Sequence, residues 1–260
     1  MIKKNKQLTT HLAIAFLLLS IPLTRQPGAG ETASESTADP VEIVTKADRI
    51  RFPEKGFQVD VNITSSVPDK DDDIRDYRIM SNGIENTLVM TTAPASDRGQ
   101  IMLMKGRDLW VFMPSISQPV RLPLSQRLTG QVSNGDLARA NFQGDYTPKL
   151  LRAEEIEGQS YFVLELTAID SGVTYSKVIY WVNQRSFRPY KAEFYTLSGR
   201  LLKTAHYKNF KPLGGETRPT QLVMEDALKA GEKSVLDYQN MMQKDLPDKI
   251  FTKDYLKKLE

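Results

Sequence analysis

The 260-residue chain contains no cysteine and only two histidines. Without cysteine there is no disulfide framework, no thiol nucleophile and no thiolate metal site. One histidine, His11, lies in an N-terminal stretch treated below, so His206 alone remains for chemistry. A Ser-His-Asp triad would have to use it, and no serine sits in a G-x-S-x-G elbow. Zinc would need carboxylates gathered around a single imidazole, an uncommon ligand set. Walker-type and dinucleotide glycine fingerprints are also missing, because the glycine-rich spots fall at hairpin turns. The acidic doublets Glu154-Glu155 and Glu225-Asp226 are neighbours on strand-like segments. Adjacent strand side chains point to opposite faces, so neither doublet makes a dyad by itself. The charged stretch from Asp69 to Asp73 lacks the glycine and distal glutamate of a calcium loop and reads as a solvated turn. These absences lead to the expectation of a protein that is not an enzyme and carries no cofactor or metal.

Long apolar runs are scarce too. The one conspicuous run, residues 12–23, follows Lys3, Lys4 and Lys6 and precedes the small residues Gly28, Ala29 and Gly30. This is the pattern of a secretory signal peptide over residues 1–30. The alternative, an uncleaved anchor, is disfavoured because the run is shorter than the roughly 20 residues a bilayer span requires. Removing residues 1–30 takes away Lys3, Lys4, Lys6 and Arg25 and no acidic residue. The formal charge of +3 then becomes 31 basic against 32 acidic residues. Nothing in that balance supports a nucleic-acid partner. With no cysteine to accept a lipid after the signal, the expectation is a soluble exported protein, periplasmic in a Gram-negative cell.

What the chain has in quantity is strand. Residues 31–38 are small and polar and read as a flexible leader to a domain over 39–260. Asp39-Pro40-Val41-Glu42 supplies an N-cap, a proline at the first helical position and an early acid, predicting a short helix to about Asp48 with Val41, Val44 and Ala47 buried. From Gly56 the period becomes two: Phe57, Val59, Val61 and Ile63 alternate with polar residues. Strands are predicted over 74–81 and 85–92, with Asn82-Gly83 as a hairpin turn. After the central hairpin, residues 115–148 lose sustained alternation. Ser133-Asn134-Gly135-Asp136-Leu137 there resembles a cap and a short helix to about Phe142, and the whole segment reads as a lid or binding loop. Strands follow over 149–156, 160–169, 174–182, 187–196, 200–209, 216–227 and 232–240. A last helix restarts at Thr252, with Tyr255 and Leu256 as docking residues. The sum is an antiparallel meander of about 11–12 strands with a few short helices.

Residues 99–113 form the centre of this pattern. Two apolar strands meet at Lys105-Gly106-Arg107-Asp108, where Gly106 provides the turn. Ile101 and Leu103 share one face with Trp110 and Phe112, while Met102 and Met104 share the other with Leu109, Val111 and Met113. Neither face suits water. Either each is covered by a further layer, or one is packed and the other lines an apolar cavity. Methionines crowd this half of the chain, and flexible thioethers suit a surface that accepts an irregular ligand, although each would serve equally as ordinary core. The expected cavity lining is Ile101, Leu103, Trp110, Phe112, Met80 and Met90, chosen because aromatic rings offer large apolar area.

The run Gly106 to Pro114, the stretch through Arg121-Leu122, Gly130 to Leu137, Tyr207-Lys208-Asn209-Phe210, Pro219-Thr220, Met224-Glu225-Asp226 and the ending Leu246 to Thr252 with Tyr255-Leu256 resemble the outer membrane lipoprotein-sorting proteins related to the LolA carrier. The resemblance covers roughly residues 40–260. It implies an incomplete, half-open antiparallel β-barrel closed by helices, a hydrophobic cavity for the acyl chains of lipids or lipoproteins, and carriage across the periplasm. Expected partners are that cargo, an inner-membrane transporter as donor and an outer-membrane acceptor, with the protein itself a monomer. The rival from another class is a non-catalytic adaptor for an inner-membrane transport complex, with a dry core. The carrier expectation depends on a hollow between the sheet and its cover.

Overall fold

Alternation at period two becomes sheet almost wherever it occurs. The structure, a computed structural model, describes residues 38–256 apart from Ile84 and the Ser117 side chain. The signal peptide and the leader as far as residue 37 lie outside the described residues.

The strands are β1 (Phe57–Ser66), β2 (Asp73–Ser81), β3 (Asn86–Ala93), β4 (Ile101–Lys105), β5 (Asp108–Met113), β6 (Ile116–Leu122), β7 (Arg127–Thr129), β8 (Val132–Ser133), β9 (Tyr146–Ile156), β10 (Gln159–Ala168), β11 (Lys177–Asn183), β12 (Pro189–Tyr195), β13 (Leu201–Leu213), β14 (Glu216–Asp226) and β15 (Lys233–Gln243). The helices are α1 (Pro40–Arg51), α2 (Asn134–Ala138) and α3 (Lys253–Leu256). Thirteen strands form one sheet in the order β6-β5-β4-β3-β2-β1-β15-β14-β13-β12-β11-β10-β9, and β7-β8 form a separate pair. The sheet is therefore wider than the 11–12 strands expected. Each half is a hairpin meander, and the two meanders join where β1 runs antiparallel to β15, with Val61 opposite Tyr238 and Ile63 opposite Leu236. β6 and β9 remain as unpaired edges, so the barrel is half open.

Residues 115–148, expected to be irregular, contain β6, β7, β8, α2 and the start of β9. β6 is hidden from pattern reading because it is an edge strand, mostly exposed, and carries Pro119, which an edge tolerates and a central strand would not. The chain between β6 and β9 returns across the inner face, placing α2 against β3 and β4.

α1 starts as expected, with Asp39 Oδ1 accepting the Val41 N–H at 3.0 Å and proline in the first turn. It runs on to Arg51, and its buried stripe is Ile43, Val44, Ala47, Asp48 and Arg51, while Val41 is exposed. The helix stops because Phe52, the residue before Pro53, is extended at φ −140° and ψ 150°, and a buried side chain covers the end. Arg218 of β14, a fully buried arginine, donates from Nη1 to the Arg49 carbonyl at 2.5 Å and the Ile50 carbonyl at 3.2 Å. A cation is thereby seated on the negative end of the helix, where carbonyls lack intrahelical partners.

Both faces of the central hairpin are buried, as its sequence requires, but against different things. Met102, Met104, Leu109 and Val111 join the large inner core with Ile43, Val44, Ala47, Leu137 and Ala138 from α1 and α2. Ile101, Leu103 and Phe112 pack with Leu88 on the opposite, outer face beneath Leu246, Ile250, Phe251 and Leu256, with Met80, Met90, Trp110 and Tyr255 partly buried around them. The segment over residues 244–256 is thus a strap over the outside of the sheet. It is tied at its root by Lys244 N–H to the Gly56 carbonyl at 2.8 Å.

Candidate functional site, the plugged interior

The inner face is apolar sheet filled by a short polar-anchored segment, residues 139–143. Three side chains from the described residues hold it. Asp48 Oδ2 accepts the backbone N–H groups of Phe142 and Gln143, each at 2.8 Å. Arg51, one turn further along α1, donates from Nη1 to Asp48 Oδ1 at 3.1 Å and from Nη2 to the Ala140 carbonyl at 2.5 Å. Its guanidinium also lies 4.7 Å from the centre of the Phe142 ring. At the far end of the segment Arg139 and Arg107 both bind Asp145, Arg107 from Nε at 2.9 Å and Arg139 from Nη2 at 2.8 Å.

Burial raises the Asp48 carboxyl above its usual range, opposed by the Arg51 charge and the two backbone donors. Burial also works against the charge on Arg51, but the Asp48 carboxylate beside it favours that charge, and the guanidinium is held above the ordinary arginine range. Tyr175, Tyr180, Tyr207 and Tyr238 are pushed upward by burial and stay neutral. A second buried pair lies deeper, where Lys203 of β13 meets Asp136 of α2 at 2.9 Å and donates to the Gln131 carbonyl. Asp136 completes a capping box with Ser133 and accepts from Tyr175 Oη at 2.7 Å.

The hollow expected from the sequence is not preformed. A void of about 30 Å³ lies between residues 137–141 and Phe52, Phe57 and Ile79. A second of about 20 Å³ lies on the other side of the segment, against Tyr146, Tyr175, Phe194 and Tyr207. A third of about 10 Å³ sits beside Arg51, Tyr238 and Met241. Each has room for a water or two, not for an acyl chain. The interior is occupied by the chain's own plug, which is packed imperfectly on both sides. Among the described residues the buried Asn141 Oδ1 atom on the plug has no hydrogen-bond partner.

The six residues expected to line a cavity do come together, all in one cluster. They lie on the other side of the sheet from the plug, covered by the strap, with the Lys253 ammonium 4.1 Å from the Trp110 ring centre. The residues turned toward α1 and α2 are their immediate neighbours Met102, Met104, Leu109 and Val111. Aromatic area did not distinguish the faces, because nothing local to the hairpin reveals that residues 246–256 return to cover one of them. Asp48, Arg51, Arg139, Asp145 and Lys203 were not singled out from sequence. A signal existed for two classes of them: Asp48 and Arg51 occupy the apolar stripe of α1, and Lys203 shares the inward alternation of Ala205 and Tyr207.

The fold is a half-open sheet whose inner face is covered by a segment of its own chain. The comparisons with known proteins agree with that class. A family model described as "-like: Uncharacterized protein" matches residues 83–258. Among solved structures, the LolA superfamily protein NE2245 from Nitrosomonas europaea is 65% identical with a TM-score of 0.80, the match covering 83% of this chain and 98% of that one. A putative outer membrane lipoprotein-sorting protein domain from Vibrio parahaemolyticus is 22% identical with a TM-score of 0.73, covering 84% and 98%. A DUF1329 family protein from Desulfovibrio piger ATCC 29098 is 20% identical with a TM-score of 0.73, covering 84% and 100%. The last two share the fold. No curated protein matches the chain. The chain belongs to the LolA superfamily.

Proposed function

We propose that the protein is a periplasmic carrier that takes acyl chains of lipoproteins or lipids into its half-barrel and hands them on toward the outer membrane, acting as a monomer between an inner-membrane transporter and an outer-membrane acceptor. The observation that carries this reading is the way the interior is filled. Residues 139–143 are held by hydrogen bonds to Asp48, Arg51 and Asp145 and by the Phe142 ring, which packs among Tyr146, Tyr180 and Phe194, and small voids flank them on both sides. The wall they cover is apolar sheet. Departure of the segment takes only Phe142 out of the inner core while the strand ladder stays intact, and each buried methylene of an incoming chain contributes about 0.8 kcal/mol toward replacing it.

Uptake is then an exchange. The plug moves, acyl chains take its place along the inner face at Met102, Met104, Leu109, Val111 and Leu222, and a tighter acceptor reverses the step. No covalent chemistry is needed. In this reading the lining belongs to the inner face, and Ile101, Leu103, Trp110 and Phe112 serve to hold the strap.

The filled interior also fits the adaptor reading, a dry-cored scaffold that docks on a transport complex. Native mass spectrometry of protein purified from cells separates the two. A carrier brings extractable lipid with it or binds an added acylated peptide one to one. Protein that stays lipid-free and refuses such a peptide at micromolar concentration is an adaptor.

A further inference from the structure

The plug is itself a ligand, and its contacts describe what can replace it. Its anchors at α1 are peptide groups: two N–H donors, from Phe142 and Gln143, enter one oxygen of a carboxylate that is 3% exposed, and one carbonyl, from Ala140, accepts from Arg51. Asp48 and Arg51 also bind each other, so the pair presents one acceptor site and one donor site side by side on a single helix turn. When the segment leaves, Asp48 loses two backbone donors and Arg51 an acceptor, while the bond between the pair remains. A buried charge stripped of its hydrogen bonds costs several kcal/mol. An acyl chain offers nothing to either group. The Tyr180 hydroxyl, fully buried, stands beside Arg51 and Tyr207 with its ring edge-on to that of Phe142 at 5.0 Å, and among the described residues Asn141 Oδ1 on the plug lacks a hydrogen-bond partner. The closed form therefore leaves one polar atom of the plug unsatisfied.

We infer that the Asp48–Arg51 pair is the specificity determinant for cargo and selects acyl chains joined to their head through an amide, with Asp48 accepting the amide N–H and Arg51 donating to its carbonyl. The inference rests on the carrier reading and narrows it. An ester-linked chain of equal length satisfies Arg51 but leaves Asp48 Oδ2 without a replacement for its two backbone donors, Arg51 holding only Oδ1. An N-acylated peptide and an N-acyl lipid share the required group.

The test compares N-palmitoylglycine with O-palmitoylglycolate, which differ only in N–H against oxygen and keep the same chain and carboxylate. Binding of each to the full-length mature protein is measured by isothermal titration calorimetry. The amide is expected to bind at least tenfold more tightly than the ester, and Asp48→Asn to bring the two within about twofold of each other. Equal binding of both by the native protein overturns the inference while leaving the carrier reading intact, and binding of neither overturns both. Because the amide-to-ester comparison uses the native protein, it stands even if Asp48→Asn fails to fold. Repeating the pair with an ethanolamine head and with a tripeptide head separates the sources. A preference kept with both heads assigns any N-acyl lipid to the site, a preference confined to the tripeptide head assigns an acylated peptide, and no preference with either overturns the inference.

Discussion

Arg107, at the tip of the β4–β5 hairpin, donates from Nε to Asp145 Oδ1 at 2.9 Å, joining one half of the sheet to the chain entering β9 in the other half. The same arginine reaches Asp170 at 2.6 Å and the Gly144 carbonyl at 3.0 Å, and Arg139 donates to the Gly106 carbonyl at 2.8 Å. The two arginines and Asp145 thus form a clasp across the open side of the barrel, close to the end of the plug.

The members of that clasp are buried to different depths, and this decides what each substitution does. Asp145 is 4% exposed and Arg139 5%, whereas Arg107 is 32% exposed. Asp145→Ala removes the carboxylate both arginines hold and is expected to cost about 3–5 kcal/mol of stability, as loss of one buried partner does. Arg107→Ala, at a side chain 32% exposed, should cost about 1 kcal/mol or less. Its main effect should be on opening, as faster uptake of a fluorescent acyl probe in stopped flow. An uptake rate equal to that of the native protein would show that the plug does not move through this clasp.

The chain before the plug is held in place at Gly130. Its backbone is left-handed, with φ of 49°, and an added Cβ would fall 2.6 Å from Ser65 Cβ and closer still to the hydroxyls of Ser65 and Ser234. Those hydroxyls bond each other at 2.8 Å, and Ser234 Oγ also accepts the Gln131 N–H at 2.9 Å. Gly130→Ala is expected to lower the urea midpoint by an amount worth about 2–4 kcal/mol, combining strain with overpacking. Ser65→Gly in the same chain should recover part of the loss. No recovery would mean that backbone strain, not crowding, sets the effect.

How much of this was legible depends on how far apart the interacting residues lie. The meander, the turn at Gly106, the cap at Asp39 and the capping box at Ser133 are local, and each is visible in a window of a few residues. β6 was missed because an edge strand has no buried face to impose alternation, and Pro119 interrupts it further. Both faces of residues 101–113 read as buried, which is right. Their coverings come from residues 40–51 and 134–142 on one side and 246–256 on the other, and no period within the hairpin encodes that choice. The plug was legible only as an irregular stretch. Its partners Asp48 and Arg51 sit about ninety residues away.

Acid should weaken the seam where the two meanders join. Asp60 of β1 accepts from Arg78 Nε of β2 at 2.8 Å and from Asn240 Nδ2 of β15 at 3.1 Å. The Arg78 hydrogen bonds, with Asn240 and the Arg78 charge adding to them, hold the carboxyl below the ordinary aspartate value of 3.8 despite some burial. A carboxyl depressed on folding binds protons more weakly in the folded chain than in the unfolded one. Its stabilisation is therefore complete above the unfolded value and disappears as pH falls through the folded value. Asp60→Asn should cost about 1 kcal/mol or less near pH 7, since the group is partly exposed. That difference should shrink toward zero by about pH 2 in paired urea titrations. A cost that persists unchanged in acid would assign it to packing and not to charge.

Leu103 and Met104 are consecutive on β4, both buried, at 1% and 0% exposure, and point to opposite faces. Leu103 packs with Leu88 and Phe112 in the outer cluster under the strap, and Met104 belongs to the inner core with α1 and α2. Each truncated to alanine should lose about 2–5 kcal/mol, because either removes a well-packed side chain from a filled site. The pair is thus matched in stability and differs in direction alone. If cargo enters by displacing residues 139–143, Met104→Ala should change the affinity for an acyl probe severalfold while Leu103→Ala leaves it unaltered. The Trp110 side chain, on the strap side, should keep its contact with Lys253 on loading. Should Leu103→Ala alter probe binding and Met104→Ala not, the strap would be the cover that moves and the face chosen from the sequence would be the one that meets the cargo.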